Sequence, residues 1–153
     1  LIMYQLRKIL LLTACLLLSA SLFADESLIN VSNGWVRETP PGVQNAAAFF
    51  TLNNTGTAVK KLTGVQCAPA VATRCEVHEH THTANGGMLM QKVAAPLSIP
   101  ANGKIVFAPG GYHIMLLELN KPLLAGSTVE LVFLFDDQST YHAQLPVKSV
   151  SQE

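Results

Sequence analysis

Residues 75–93 read CEVHEHTHTANGGMLMQKV, in which two runs of strand-forming residues flank an Asn85-Gly86-Gly87 turn signal. Asn-Gly pairs are a strong short-range signal for a hairpin, because they accept the positive φ angles that tight turns need. The stretch therefore predicts adjacent antiparallel strands over Cys75 to His80 and Met88 to Val93. Since side chains two residues apart on a strand point to the same face, histidines of one strand come close to methionines of the other.

The rest of the chain repeats this pattern of short apolar runs separated by turn residues. Runs rich in Val, Ile, Leu, Phe and Thr alternate with Gly, Pro and Asn clusters, and no stretch sustains a helical period. Strands are predicted for Ile29 to Arg37, Ala46 to Asn53, Lys60 to Gln66, Cys75 to His80, Met88 to Val93, Lys104 to Ala108, Tyr112 to Leu119, Ser127 to Phe135 and Tyr141 to Val147. Many short strands within one domain length favour an all-β Greek-key sandwich, a single domain, over a closed barrel.

Composition fits a compact domain with no affinity for nucleic acid. The 10 basic residues balance 10 acidic ones, and 49% of the 153 residues are hydrophobic against 13% charged. A sizeable core can therefore be buried, and no basic excess is available for phosphate contacts. There is no Gly-x-Ser-x-Gly, His-Glu-x-x-His or phosphate-loop motif, so we do not expect an enzyme. Glu76 and Glu79 are expected to be solvated surface charges.

The first 24 residues have the pattern of an export signal. Arg7 and Lys8 precede an apolar run of 16 residues from Ile9 to Ala24. That run is shorter than the roughly 20 residues of a spanning helix, so we expect cleavage after Ala24 and a mature domain of residues 25–153 without a membrane span. A lipid anchor at Cys15 is the alternative, and the apolar run continuing past Cys15 argues against it.

Two cysteines, Cys67 and Cys75, remain after the predicted cleavage. Export would place them in an oxidising compartment, where a pair of thiols tends to become a disulfide. The alternative is a pair of reduced, half-buried thiols. The seven residues between them are too many for a Cys-x-x-Cys redox motif.

Histidine and methionine are crowded into two short segments. The first holds His78, His80, His82, Met88 and Met90 within thirteen residues, and the second holds His113 and Met115. Imidazole and thioether are soft, neutral ligands, and thioether favours Cu(I) over zinc, calcium or magnesium. The two segments therefore predict a copper site.

Several motifs carry a likeness to a known family. They are EVHEH at 76–80, GGMLM at 86–90, IPANG at 99–103, PGGYHIM at 109–115, GWVR at 34–37 and AAAFFTLNN at 46–54. Together they resemble the periplasmic copper chaperones of the PCu(A)C family over nearly all of residues 25–153. The resemblance implies a cupredoxin-like β-sandwich that carries Cu(I) through the periplasm. It also implies a copper-receiving partner, such as the cytochrome c oxidase subunit with the dinuclear copper centre or another copper chaperone.

The resemblance implies a ligand set of His78, Met90, His113 and Met115. Eleven residues separate His78 from Met90, and twenty-two separate Met90 from His113. Each gap is one residue longer than in the family signature, but the extra residues fall in turn regions, so the set is expected to survive. Met88 remains an alternative to Met90. His80 and His82 are candidates for a weaker Cu(II) site, the alternative being a solvated turn.

Two other functions are compatible with a β-sandwich. A blue-copper electron carrier would use Cys75 and His78, but a strand places these two residues on opposite faces. A metal-independent interaction or assembly module would make the clustering of His and Met incidental. A measurement of copper binding distinguishes these two classes, because the metal-independent module would bind no copper.

Copper binding by histidine should depend on pH, since imidazole binds a metal only when it is neutral. We expect the Cu(I) affinity to fall below about pH 6, near the ordinary histidine pKa. Anaerobic competition titrations between about pH 7.5 and 5 measure this change. An affinity that stays constant over that range would argue against histidine ligation.

Overall fold

The computed structural model describes residues 28–94 and 96–149, and the fold below refers to these residues. The strands are β1 (Ile29–Arg37), β2 (Asn45–Asn54), β3 (Lys60–Cys67), β4 (Ala72–His82), β5 (Met88–Lys92), β6 (Leu97–Ile99), β7 (Gly103–Phe107), β8 (His113–Leu119), β9 (Thr128–Phe135) and β10 (Thr140–Lys148). None of the described residues belongs to a helix that could cross a membrane. The expected signal segment, with Cys15 in it, lies outside the described residues.

The strands form one hydrogen-bonded path that folds into two layers. Their order is β5-β4-β8-β2-β1-β10-β9-β3-β6, with β7 paired to β2. The layers face each other where the ring of Phe50 on β2 meets that of Phe133 on β9, with 5.0 Å between centroids. Strand pairs are antiparallel except β1 with β10, which run parallel. The predicted all-β, cupredoxin-like sandwich is confirmed, with one parallel pair that the sequence does not reveal.

Aromatic rings form the centre of the core. Phe50, Phe107 and Phe133 are each at most 2% exposed, and Phe50 stacks on Phe107 with 4.4 Å between centroids. Burial of one such side chain contributes about 1.5–3 kcal/mol. This core lies between the layers, so the outer face of each layer is left for polar groups.

The sequence predicts nine of the strands with end shifts of up to three residues and misses β6. β6 spans only Leu97–Ile99, and it pairs with β3 through Lys60 and Ile99. Three residues are too few to show an alternating pattern, and the preceding Pro96 marks a turn. The region from Ala94 to Gly103, expected to be a turn, therefore contains an edge strand.

A disulfide joins the two layers. Cys67 at the end of β3 and Cys75 within β4 are bonded, with 6.1 Å between their Cα atoms. β3 and β4 are not neighbours in the hydrogen-bonded path, so the bond ties strands that only face each other. Cys75 is 9% exposed and belongs to the core cluster. The bond therefore holds β4 against the core through Cys75. The side chains of β4 that point away from the core are held in place with it.

Replacing both Cys67 and Cys75 by serine should lower the free energy of unfolding by about 2–3 kcal/mol, the loop-closure entropy of so short a loop. Denaturant unfolding of the double variant and the oxidised wild type measures the difference. Reductant should destabilise the wild type and leave the variant unchanged. A variant as stable as the oxidised protein would show that the bond does not constrain the unfolded chain.

Candidate metal centre

The outer face of one layer gathers histidines and methionines from three strands. β4 pairs with β5 so that His80 lies opposite Met90, and with β8 so that His78 lies opposite His113. Opposite residues share a face, and Met115, two residues after His113, lies on that face too. The alternating residues Cys75 and Val77 of β4 and Ile114 and Leu116 of β8 belong to the core. The strand register therefore brings these side chains onto one surface, which we call the His/Met face: His78, His80, His82, Met88, Met90, His113 and Met115.

A tight turn at residues 108–111 positions His113. A backbone hydrogen bond of 3.0 Å closes the turn. Gly110, its third residue, has φ of +83°, as a type II turn requires, and Pro109 pre-sets the angle of the second position. The turn aims the carbonyl oxygen of Gly111 at His113 Nδ1, 3.1 Å away. The PGG motif therefore orients the imidazole that follows it.

His113 is buried with one ring nitrogen unpaired. The residue is only 2% exposed. Its Nδ1–H donates to Gly111, because a carbonyl can only accept, so the lone pair of the neutral ring is on Nε2. Nε2 is buried and has no hydrogen-bond partner among the described residues. Burial lowers the pKa of His113, against the bond to Gly111 that raises it, which favours the neutral ring.

A carboxylate holds His78 in a similar way. Glu76 Oε2 lies 3.0 Å from His78 Nε2, and Lys92 Nζ lies 3.1 Å from Glu76 Oε1. The bond to His78 and then Lys92 lower the pKa of Glu76, although burial opposes them, so the carboxylate is ionised and accepts the Nε2–H. With the proton on Nε2, Nδ1 carries the lone pair, and it is buried with no hydrogen-bond partner among the described residues.

His80 borders an open pocket of about 310 Å³ beside this face. The pocket lining includes Arg37, Phe49, His80, Met90, His113 and Met115. The ring of His80 lies 5.0 Å from that of His113, against 5.9 Å for His78, which does not line the pocket. His80 Nδ1 is a third buried ring nitrogen without a hydrogen-bond partner among the described residues. The backbone N–H of His80 donates to the carbonyl oxygen of Gly111 at 3.3 Å.

Two further ligand candidates, His82 and Met88, lie away from the pocket, and so does the remaining histidine, His142. His82 lies opposite Met88 at the end of the β4–β5 hairpin, and Met88 is 58% exposed. His142 lies on β10 in the other layer, where its exposed ring is 3.4 Å from Glu130 Oε1. His82 and Met88 therefore extend the His/Met face outward, and His142 has no part in it.

Sequence reasoning misses two groups at this site. The expectation that Glu76 is a solvated charge is wrong, because its side chain is 17% exposed and contacts His78. The spacing of two residues between Glu76 and His78 on a strand is the signal that could have found it. The carbonyl of Gly111 is backbone, and no side-chain pattern marks it.

The donor atoms fit a soft metal ion. No three His, Cys, Asp or Glu side chains in residues 28–94 and 96–149 are grouped to hold a metal by themselves, so a metal here needs the thioethers. Imidazole with thioether favours Cu(I). Each buried nitrogen left unsatisfied costs about 1–3 kcal/mol, which a bound metal would offset. The fold and this face define a β-sandwich whose outer face carries donors that suit a soft cation.

Comparison with known sequences gives the family. The sequence model of the LpqE-like family matches residues 29–147. This chain therefore belongs to the LpqE-like family, and its resemblance to PCu(A)C proteins is confirmed. A relative from Leifsonia xyli subsp. xyli, named "Putative lipoprotein Lxx21020", is 37% identical over 123 residues, which cover 80% of this chain and 71% of the relative.

Solved structures agree with this assignment. Apo-DR1885 from Deinococcus radiodurans is 32% identical and superposes with a TM-score of 0.60 over 81% of each chain. Its CuI form is 30% identical, with a TM-score of 0.56 over 84% of this chain and 85% of that one. The apo PCuAC domain of PmoF1, at 23% identity, shares the fold with a TM-score of 0.65 over 80% of this chain and 95% of that domain.

Gly110→Ala should disturb the orientation of His113. A side chain in the left-handed region costs about 1–2 kcal/mol, and relief of that strain would move the Gly111 carbonyl away from Nδ1. We expect a lower melting temperature and a loss of the preference for the Nδ1-protonated ring. Nitrogen NMR of the histidine side chains measures the second effect.

Gly42→Ala is the matched control for this substitution. Gly42 has φ of +89° and, like Gly110, no heavy atom within 4 Å of an added Cβ, but it lies in the turn at residues 40–43. It should cost similar stability and leave the His113 ring unchanged. An unchanged His113 ring in Gly110→Ala would show that the turn does not set its protonation.

Proposed function

We propose that this protein is a periplasmic copper chaperone that binds Cu(I) on its His/Met face and delivers it to a client protein. One observation carries the proposal: three buried imidazole nitrogens, on His78, His80 and His113, have no hydrogen-bond partner within residues 28–94 and 96–149 and share a face with methionine thioethers. Neutral nitrogen and sulfur donors at one surface suit Cu(I). The CuI form of the related DR1885 supports the same choice of metal and oxidation state.

The proposed ligands are Met90, His113 and Met115 with one histidine of β4. Sequence spacing favours His78 for that position, whereas ring distance and pocket lining favour His80. We propose His80 as the direct ligand. His78, held by Glu76, does not line the pocket, and it supports the site or replaces His80 when that ring is removed.

Release of the metal requires that the site can be reached by incoming ligands. Met90 is 47% exposed, whereas His113 is buried, so the site has one fixed side and one open side. The open pocket that Met90 lines leaves space for a partner's ligand to approach. Transfer would proceed by exchange of ligands at the open side, where Met90 lies.

Export and the identity of the client complete the proposal. A signal at residues 1–24 would deliver residues 25–153 to the periplasm, where the disulfide between Cys67 and Cys75 is stable. Lipid anchoring at Cys15 is the alternative to cleavage after Ala24, because the Leifsonia relative is named a putative lipoprotein. The proposed client is the dinuclear copper centre of cytochrome c oxidase.

The geometry disfavours a blue-copper carrier. Such a site needs a cysteine thiolate beside two histidines, with a weak axial methionine. Cys75 is bonded to Cys67 and belongs to the core cluster, so neither sulfur is available to the His/Met face.

The proposal is tested by anaerobic titration of the mature protein with Cu(I) against a chromogenic chelator, with Cu(II) and Zn(II) in parallel. We expect one tightly bound Cu(I) per chain. His113→Ala and Met115→Leu should each weaken binding by about 100-fold or more, since losing a residue that only orients a ligand typically costs about 10–100-fold. His80→Ala should weaken it more than His78→Ala.

His142→Ala is the control, because His142 is an exposed histidine in the other layer. It should change the affinity by less than about twofold. Equal losses from His113→Ala and His142→Ala, or no competition for Cu(I) at all, would contradict the proposal and favour a metal-independent module.

A further inference from the structure

The His/Met face continues past the pocket to the tip of the β4–β5 hairpin. Three pairs of facing residues follow one another along β4: His78 with His113, His80 with Met90, and His82 with Met88. Each pair lies two residues from the next, a step of about 7 Å on the same face. Every pair offers soft donors, so the face is a row of copper ligands.

Exposure increases along this row. His113 is 2% exposed, Met90 47% and Met88 58%, and His82 at the same step as Met88 is also exposed. Methionine is usually among the buried residues, so two exposed thioethers in succession on an edge strand need a reason other than packing. The row therefore leads from a buried donor to donors that a partner can reach.

The hairpin tip is both fixed in position and uncharged. The backbone N–H of Thr83 donates to the Gly87 carbonyl at 2.8 Å, and that of Gly87 donates to Thr83 Oγ1 at 3.0 Å. These bonds hold the strands together immediately beyond His82 and Met88. Residues 80–91 contain no Asp, Glu, Lys or Arg, so no carboxylate there recruits calcium or magnesium.

We propose that His82 and Met88 form a second, peripheral Cu(I) site through which the ion enters and leaves the inner site. This inference rests on the proposed function. A partner would hand Cu(I) to the exposed pair, and the ion would then move to His80 and Met90 by exchange of one ligand at a time. Copper stays in the Cu(I) state throughout, so no electron donor or acceptor is involved.

A site with only two donors binds Cu(I) with low affinity. Low affinity lets the site pass the ion on quickly. A soft N,S pair is enough to hold Cu(I) briefly, whereas the inner site adds the buried nitrogen of His113 and the thioether of Met115. The inner site should therefore fill first. The outer pair should take a second Cu(I) only when the metal is in excess.

The test compares wild type with His82→Ala/Met88→Leu. Two quantities are measured: the number of Cu(I) ions bound in excess metal, and the rate at which bound Cu(I) passes to a chromogenic chelator in stopped flow. The variant should lose the second, weaker Cu(I) and keep one. It should also release Cu(I) about tenfold more slowly, equivalent to about 1.4 kcal/mol on the barrier.

The matched control is Thr81→Ala/Leu89→Ala, a facing pair on the same hairpin whose side chains point to the opposite face. It should bind and release Cu(I) as wild type does. Equal slowing in both variants would assign the effect to hairpin folding and overturn the inference. Unchanged stoichiometry and rate in His82→Ala/Met88→Leu would also overturn it, and so would a second ion that binds only as Cu(II). Failure of wild type to bind any Cu(I) would instead contradict the proposed function.

Discussion

The register of β4 against β5 and β8 is the constraint on which the site depends. Alternate residues of a strand face opposite ways, so one register directs Val77 and Ile114 into the core and the histidines outward. A slip of one residue would bury the imidazoles and expose the apolar side chains, which the hydrophobic effect opposes. The same energy that closes the sandwich therefore also aligns the proposed ligands, and no separate force is needed to assemble them.

Local orientation is added by two polar groups that the register alone does not supply. Glu76 fixes the ring of His78, and the Gly111 carbonyl fixes that of His113 and the backbone of His80. In the rings of His78 and His113, this bond holds the proton on one nitrogen and leaves the lone pair on the other nitrogen, which is buried. Such partners orient metal-binding histidines and make them better donors. The result is a face whose donors are prepared before any metal arrives.

Much of this could be predicted from sequence because strand alternation and turn chemistry are local. The Asn85-Gly86-Gly87 turn and the His and Met spacing around it predict the hairpin and its shared face. What could not be predicted depends on distance through space. β6 is too short to show a period. The spacing of Glu76 and His78 is a local signal, but the contact of Glu76 with Lys92 on β5 is not, and the Gly111 carbonyl that contacts His113 and His80 is backbone.

The disulfide has a consequence beyond stability. A thiolate is a stronger soft ligand than a thioether, so a free cysteine anywhere on this domain would compete for the ion that the face is proposed to carry. Bonding Cys67 to Cys75 removes both thiols and places one of them in the core. Within the described residues, both cysteine sulfurs are therefore unavailable to the ion. The ion that the face is proposed to carry is left to imidazole and thioether ligands, which release it more readily than a thiolate would.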